Sequence, residues 1–254
     1  MADRSGKFVW FEHVSSDLPE ARRFYEQLFG WNTELMAMAG GDPYPVIHNG
    51  DAGIAGYSQA PAGAPSQWLS YLSVIDVDSA YKAALAAGGK SVMAPTDYGS
   101  AGRAATLADP TGGVFALWKS AQGDGAETAE APVGTFFWNE LSTQDVDKAI
   151  AFYEKTFGYT HDAMEMPDGT YYILKVGDGK GHAGVYKTSV AGQPTLWTPY
   201  VRVADTDATV AKASSLGATL TVPPTDVPHV GRIAVLVDPQ GATIAVMTPD
   251  PSMG

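Results

Sequence analysis

The sequence predicts an α+β fold with two tandem domains, each built from two βαβββ modules that form an open, curled and mostly antiparallel sheet around a cavity. Three observations lead to this prediction. The segment "PTDYGSAGRAATLADPTGGVFALW" from Pro95 returns as "PTDVPHVGRIAVLVDPQGATIAVM" from Pro224. The segment "DLPEARRFYEQLFGW" from Asp17 returns as "DVDKAIAFYEKTFGY" from Asp145. A weaker echo of the latter, "DVDSAYKAALAAGG", begins at Asp76 inside the first half.

Each module is predicted to start with a strand, such as "KFVWFEHVSS", and to continue with an amphipathic helix of about three turns. In the first module Asp17 is a favourable N-cap, and Gly30 ends the helix. Between them, apolar residues recur at helical spacing: Ala21, Phe24, Tyr25, Leu28 and Phe29. Short segments such as "YPVIHN", "AGIAGYS", "GRAATLAD" and "VFALWK" are predicted strands. A doubly wound parallel sheet is disfavoured, because it needs a helix between most strands and the sequence allows only one helix per module.

The domain boundary is predicted in the segment "KSAQGDGAETAEAPVG", which is rich in Gly, Ala and acidic residues and poor in large apolar side chains. We therefore expect a first domain over residues 1–119, a linker over 120–133 and a second domain over 134–254. The glycine-rich segments "GGDPYP" and "GDGKGHAG" match no nucleotide-phosphate or dinucleotide pattern.

The composition limits the partners. Sixteen Lys and Arg against 28 Asp and Glu give a net charge of −12, which disfavours nucleic acid because phosphates need clustered basic side chains. The absence of Cys excludes disulfides and zinc-thiolate sites. Neither a membrane span nor a signal peptide is evident, so we expect a soluble, cytoplasmic protein without membrane partners. The expected partner is a small molecule, and the chain is expected to be a monomer or a homodimer.

The helix pattern "DLxxARxFYxxLFGW" and the closing "DPxGxxxxL" give the chain a resemblance to the vicinal oxygen chelate superfamily, which includes glyoxalase I, bleomycin-resistance proteins and extradiol dioxygenases. The resemblance covers residues 8–119 and 135–249 and implies the βαβββ fold. It leaves the function open, because the superfamily contains lyases, epimerases, dioxygenases, thiol transferases and binding proteins.

The resemblance also identifies the positions where metal-dependent relatives carry their ligands. On the first strand of each module these positions hold Trp10, Leu69, Trp138 and Thr198. The last-strand positions, where the family has Glu, hold Ala116 and Ala245. Such side chains cannot assemble a divalent-metal site, so the usual metal and any other cofactor are expected to be absent.

Strand alternation selects other candidates, since residues two apart point to the same face. Glu12 and Glu140 share a face with Trp10 and Trp138, and they are candidate general bases if apolar surroundings raise the pKa of their carboxyl groups. Tyr71 and Tyr200, two residues after Leu69 and Thr198, are candidate hydrogen-bond donors to an oxyanion. The candidate ligand-binding residues are Trp10, Trp138, Leu69, Thr198, Arg202, Ala116, Ala245, Trp118, His182 and His229.

Each candidate also has a structural interpretation. A buried glutamate commonly hydrogen-bonds to neighbouring groups, and tryptophans commonly pack in the core. His182 could form a partial site with Glu140, whereas His229 lies in a predicted loop. Arg103 and Arg232 are expected to pair with acids, and "DPTG" and "DPQG" are typical of type I turns.

The sequence therefore predicts a glyoxalase/bleomycin-resistance-like protein that binds an aromatic or cationic metabolite, or catalyses proton transfer on it, without the usual metal. Two alternatives remain at this point. One is a metal-dependent lyase or dioxygenase with non-standard ligands, and the other is a non-catalytic scaffold protein.

Overall fold

The computed structural model describes residues 5–38, 42–125, 130–166, 169–177 and 179–251. Each predicted module is present as a strand, a helix and three further strands. The helices are α1 (Leu18–Phe29), α2 (Val77–Ala86), α3 (Val146–Phe157) and α4 (Thr206–Ser215). The strands of the first half are β1 (Phe8–Ser15), β2 (Asn32–Met36), β3 (Tyr44–Asn49), β4 (Ala52–Gln59), β5 (Gln67–Ser73), β6 (Lys90–Asp97), β7 (Gly102–Ala108) and β8 (Val114–Ser120).

The strands of the second half follow the same order. They are β9 (Phe136–Thr143), β10 (Thr160–Met166), β11 (Gly169–Lys175), β12 (Gly181–Lys187), β13 (Leu196–Arg202), β14 (Thr219–Val227), β15 (Gly231–Val237) and β16 (Thr243–Pro249). The two eight-stranded sheets have the orders β2-β3-β4-β1-β5-β8-β7-β6 and β10-β11-β12-β9-β13-β16-β15-β14. Within each module the first strand pairs in parallel with the last, and the other pairs are antiparallel. The predicted α+β class is confirmed.

Helix α1 begins and ends where the sequence predicts. Asp17 caps α1 by accepting a hydrogen bond from the Glu20 backbone N–H at 3.1 Å. At the other end Gly30 has φ 73°, a left-handed conformation that glycine adopts without steric cost. Asp145 and Gly158 perform the same two roles for α3.

The chain divides into two compact units. The first unit comprises Met1–Trp10, Leu69–Glu127 and Trp138–Trp197, and the second comprises Phe11–Trp68, Thr128–Phe137 and Thr198–Gly254. This grouping takes one module from each half. The domain boundaries predicted from the linker remain a prediction, and residues 126–129 of that linker lie outside the described residues.

Each unit has its own apolar core. In the first unit Leu72, Phe115, Leu117, Leu141 and Tyr153 belong to one cluster and are at most 1% exposed. In the second unit the core is more aromatic, as Phe11, Phe24, Tyr25, Trp31 and Trp68 are each at most 6% exposed. Among the helices that the structure describes, none is long and apolar enough to span a membrane.

Candidate functional site

A hydrogen-bonded chain of three side chains lies in the first unit and includes two of the predicted residues. The Trp138 Nε1–H donates to the Tyr171 hydroxyl at 2.9 Å, and this hydroxyl donates to Glu140 Oε2 at 2.8 Å. Trp138 and Glu140 come from β9, and Tyr171 comes from β11. The carboxylate is thus held by a phenol whose own oxygen is oriented by an indole.

A glycine makes room for this tyrosine. Gly184 of β12 lies opposite Glu140 in the parallel β9–β12 pair. A Cβ at position 184 would lie 1.8 Å from the Tyr171 hydroxyl oxygen, far inside van der Waals contact. Only glycine therefore allows the Tyr171 side chain to cross β12 and reach Glu140 on β9.

The surroundings keep both nearby phenols protonated. Burial, and next the charge of Glu140, raise the pKa of Tyr171 well above its usual value of 10.0. The same two causes raise the pKa of Tyr186 to about 12, and its ring stacks on that of Tyr171 with centroids 6.4 Å apart. At neutral pH Tyr171 is therefore a hydrogen-bond donor and not an anion.

The second unit repeats the arrangement. The Tyr44 hydroxyl donates to Glu12 Oε1 at 2.9 Å, and Gly56 lies opposite Glu12 in the parallel β1–β4 pair. A Cβ on Gly56 would lie 1.9 Å from the Tyr44 hydroxyl oxygen. Glu12 is 8% exposed, whereas Glu140 is half-buried. Both glutamates predicted from strand alternation therefore belong to a glutamate, tyrosine and glycine set.

Tyr44, Tyr171, Gly56 and Gly184 were not among the predicted site residues. The two tyrosines occupy equivalent places in the two halves, as the segments "YPVIHN" and "YYILKV" indicate, and so do the two glycines, as "AGIAGYS" and "KGHAGVY" indicate. That repetition could have indicated that these tyrosines and glycines matter. The hydrogen bond from tyrosine to glutamate, however, depends on the pairing of three strands, which the sequence pattern does not predict.

The other predicted residues of the first unit are Trp10 on β1 and a group on β5, β8 and β12. Leu69 and Ala116 are 6% and 0% exposed, and Tyr71 lies opposite Ala116. The ring of Tyr71 makes an edge-on contact with Trp118 at 6.2 Å. These residues form an apolar patch with one phenol. His182 is half-buried on β12, two residues before Gly184.

In the second unit, Thr198 and Tyr200 are buried and lie two residues apart on β13. Ala245 lies opposite Tyr200. Arg202 contacts the polypeptide that precedes β9. Its Nη1 donates to the Ala131 carbonyl at 2.7 Å, and its guanidinium pairs with Glu130.

His229 lies exposed between β14 and β15 with φ 61°, the one non-glycine residue in the described part of the chain with a positive φ. The guanidinium groups of Arg103 and Arg232 pair with acids, as predicted. Arg103 binds Asp78 at 2.7 Å, and Arg232 binds Asp207 and Asp226.

The two "DPxG" segments do more than form turns. The i to i+3 hydrogen bonds are present, from the Gly112 N–H to the Asp109 carbonyl and from the Gly241 N–H to the Asp238 carbonyl, each at 3.0 Å. In addition, the buried carboxylates of these aspartates accept hydrogen bonds from tyrosines of the "FYE" helices: Tyr153 to Asp109 and Tyr25 to Asp238, each at 2.9 Å.

The residues at the family's metal positions do not fit a divalent ion. Trp10, Leu69, Trp138, Thr198, Ala116 and Ala245 offer no carboxylate or imidazole, and both alanines are fully buried. Across the described ranges, no three His, Cys, Asp or Glu side chains are grouped so that they could hold a metal. We therefore assign no chemical step to a metal.

Comparison with solved structures shows the same fold. The chain superposes on a crystal structure of the Mn(II)-bound glyoxalase from Novosphingobium aromaticivorans with a TM-score of 0.67, 14% identity and coverage of 97% of this chain and 83% of that one. An extradiol ring-cleaving dioxygenase from B. fuscum gives a TM-score of 0.66 at 14% identity, with 98% and 73% coverage. At this identity the likeness concerns the fold alone.

Sequence comparison finds nearer relatives. "Putative glyoxylase CFP32" of Mycobacterium bovis is 39% identical over 255 residues, which cover 98% of this chain and 97% of that protein. "Anthracycline biosynthesis protein DnrV" of Streptomyces peucetius is 32% identical over 258 residues, with 95% and 93% coverage. The family model matches residues 7–117 and again 135–246. The chain belongs to the Glyoxalase/Bleomycin resistance protein/Dioxygenase superfamily.

Proposed function

We propose that this protein binds a small aromatic or cationic metabolite and moves a proton on it without the family's metal. The observation that carries the proposal is the hydrogen-bonded chain of Trp138, Tyr171 and Glu140, together with its counterpart at Tyr44 and Glu12. A carboxylate that is fixed in position beside a phenol is a group that can accept a proton from a bound carbon acid.

In the proposed reaction Glu140 removes a proton from a carbon next to a ligand carbonyl. The carboxylate becomes a carboxylic acid, the electron pair of the C–H bond moves into the enolate, and the proton returns to the same or a neighbouring atom. Tyr171 positions Glu140 through the 2.8 Å hydrogen bond and does not itself ionise at neutral pH. Tyr71, which is in the same unit as Glu140, is proposed as the donor to the enolate oxygen, and Tyr200 is proposed for the same role in the unit of Glu12.

The aromatic side chains suit a planar ligand. Trp10 and Trp138 are half-buried and can present an aromatic face or edge, and a ring face also attracts a cation. The net charge of −12 favours the approach of a cationic molecule. Since one relative is named for anthracycline biosynthesis, a planar polycyclic ligand with an amino sugar is a suitable first probe.

Two measurements test this function. Doxorubicin should quench the tryptophan fluorescence in a saturable way, and Trp138→Leu should weaken that quenching. With 2-hydroxyacetophenone as the carbon acid, proton NMR in D₂O should show exchange of the hydroxymethyl hydrogens that is faster with the protein than without it. Glu140→Gln and Glu12→Gln together should lower the protein-dependent rate about 10²- to 10⁴-fold.

Tyr171→Phe is the matched variant, because it removes the hydrogen bond to Glu140 and keeps the ring. It should lower the exchange rate less than Glu140→Gln does. If both glutamate substitutions leave the exchange rate unchanged while doxorubicin still binds, the catalytic part of the proposal is wrong and the binding part stands. If neither doxorubicin nor 2-hydroxyacetophenone interacts with the protein, this ligand class is wrong.

A further inference from the structure

We propose that a groove between α2 and α3 of the first unit binds a small molecule that carries a phosphate or carboxylate on an apolar body. The groove has a volume of about 470 Å³, within the range of small-ligand sites. Its lining consists of Ala87, Gly88, Lys90, Pro110, Lys148, Ala151, Phe152 and Lys155. This proposal is independent of the proposed proton transfer.

The charge of the groove is unusual for this protein. Lys90, Lys148 and Lys155 are all exposed and line the same groove, although acids outnumber bases by 28 to 16 in the chain. Within the described part of the chain, none of these three ammonium groups lies within 4.0 Å of a carboxylate, whereas Arg103 and Lys175 each pair with an acid. Three unpaired cations around one concave surface indicate an anionic ligand.

The spacing along α3 produces this arrangement. Lys148 and Lys155 are seven residues apart, so they lie on one helix face about 10 Å apart along its axis. Ala151 lies between them and is too short to fill the space. Ala151 contributes to an apolar floor together with Ala87, Pro110 and Phe152, which suits the apolar body of the ligand.

Three acids near the groove are engaged elsewhere. The Asp145 carboxylate accepts the Lys148 backbone N–H at 3.2 Å as the helix cap. Glu154 pairs with His161 at 2.8 Å, and the buried Asp109 accepts the Tyr153 hydroxyl. These acids therefore leave the lysine ammonium groups available to an external anion.

The equivalent surface of the second unit has a different charge pattern and serves as an internal comparison. The residues that correspond to Lys148, Ala151 and Lys155 are Glu20, Arg23 and Gln27, and Thr219 corresponds to Lys90. In α1, the Arg23 guanidinium donates a hydrogen bond to the Glu20 carboxylate at 2.6 Å, so the positive charge on this helix face is paired with a negative one. The proposed anion site is thus specific to one copy of the repeat.

Titration of the native protein with phenyl phosphate, followed by amide chemical shifts in two-dimensional NMR, tests the proposal. We expect saturable shifts at Gly88 and Ala151 that weaken with added salt. Inorganic phosphate, which lacks the apolar body, should bind more weakly, and phenol, which lacks the charge, should give no saturable shift at these amides.

The combined variant Lys90→Gln, Lys148→Gln and Lys155→Gln should lose at least about tenfold in affinity for phenyl phosphate. The matched control is Lys82→Gln, Lys119→Gln and Lys212→Gln, which removes the same charge at exposed positions outside the groove and should change the affinity less than about twofold. Ala151→Glu, which places a carboxylate between the lysines, should abolish binding while the circular dichroism spectrum is unchanged.

Three results would overturn the proposal: no saturable shift with millimolar phenyl phosphate, equal losses in the two triple variants, or equal affinity for phenyl phosphate and phenol. Binding of a hexaglutamate peptide without binding of phenyl phosphate would likewise replace the small-molecule ligand with an acidic polypeptide.

Discussion

Each unit contains a buried chain of hydrogen bonds from a tryptophan to a tyrosine to an aspartate, and the two copies differ in the residues beside the aspartate. The chains are Trp197, Tyr153 and Asp109 in the first unit and Trp68, Tyr25 and Asp238 in the second, with distances of 2.8–2.9 Å. In the second unit His13 also lies 2.7 Å from Asp238 Oδ2. The equivalent residue of the first unit is Leu141, which is fully buried.

The Trp–Tyr–Asp hydrogen bonds occur in both copies of the repeat, whereas the contact of a histidine with the aspartate occurs, in the part of the chain that the structure describes, in the second unit alone. The tyrosine and tryptophan partners are common to both copies, so the aspartate can anchor a "DPxG" turn without any histidine. His13 is completely buried, and its Nδ1 has no hydrogen-bond partner within the described residues. The second unit therefore has a buried imidazole at the position where the first has the apolar Leu141.

Asp109→Ala and Asp238→Ala should have the largest effects on stability. Each removes a buried acceptor, leaving a tyrosine hydroxyl and a backbone N–H, of Gly113 or Ala242, without their partner. We expect a decrease of about 3 kcal/mol in the free energy of unfolding for Asp109→Ala, and more for Asp238→Ala because His13 also loses its partner. Urea denaturation measures both.

The exposed Asp51→Ala is the control for these two variants and should change the unfolding free energy by less than about 0.5 kcal/mol. Losses for the buried aspartates no larger than this would show that the hydrogen-bonded chains do not anchor the turns.

Gly184→Ala should have the next largest effect, because its Cβ would lie 1.8 Å from the Tyr171 hydroxyl oxygen. We expect a loss of about 1–3 kcal/mol and a change in tryptophan fluorescence as Tyr171 leaves Trp138. In the background of Tyr171→Ala the same glycine substitution should cost much less. An equal cost in both backgrounds would mean that the glycine serves another purpose.

Asp238→Asn should flatten the dependence of stability on acid pH. Burial raises the pKa of Asp238, but the hydrogen bond and charge of His13 and the further hydrogen bonds lower it more, so that it lies below the usual 3.8. The ionised carboxylate thus stabilises the fold fully above the usual carboxyl pKa, and this contribution is lost as the pH falls through the lowered pKa. Urea denaturation between pH 7 and pH 3 should show a steeper decline for the native protein than for Asp238→Asn.

The exposed arginine pairs should have the smallest effects. Arg232 binds two acids and Arg103 binds one, yet all these groups are solvent-accessible and screened by salt. Arg232→Gln should lower the urea midpoint slightly more than Arg103→Gln, with both changes below those of the buried variants. A larger loss for Arg103→Gln would contradict this order.

Much of the fold could be predicted because it depends on local rules. Helix α1 follows from an aspartate cap, apolar residues at helical spacing and a final glycine, and the "DPxG" turns follow from Pro and Gly. Strand alternation also predicted that Glu12 and Glu140 share a face with Trp10 and Trp138, since a period of two is a local property.

The partners of these glutamates could not be predicted in the same way. Tyr171 reaches Glu140 by crossing a strand at Gly184, and that contact requires the order and register of three strands. Arg202 is a candidate ligand-binding residue because of its position on β13. The strand pattern did not indicate that its guanidinium also donates to the Ala131 carbonyl, 71 residues away in the sequence, and pairs with Glu130. Such contacts between distant segments are set by tertiary packing and not by the strand pattern.

The most direct test of the central claim is the rate of 2-hydroxyacetophenone proton exchange before and after exhaustive treatment with a chelator, with metal content measured on the same samples. We expect an unchanged protein-dependent rate in metal-free protein and a loss of this rate in Glu140→Gln combined with Glu12→Gln. Loss of exchange on chelation, with recovery when a divalent metal is added back, would show that the proton transfer depends on a metal.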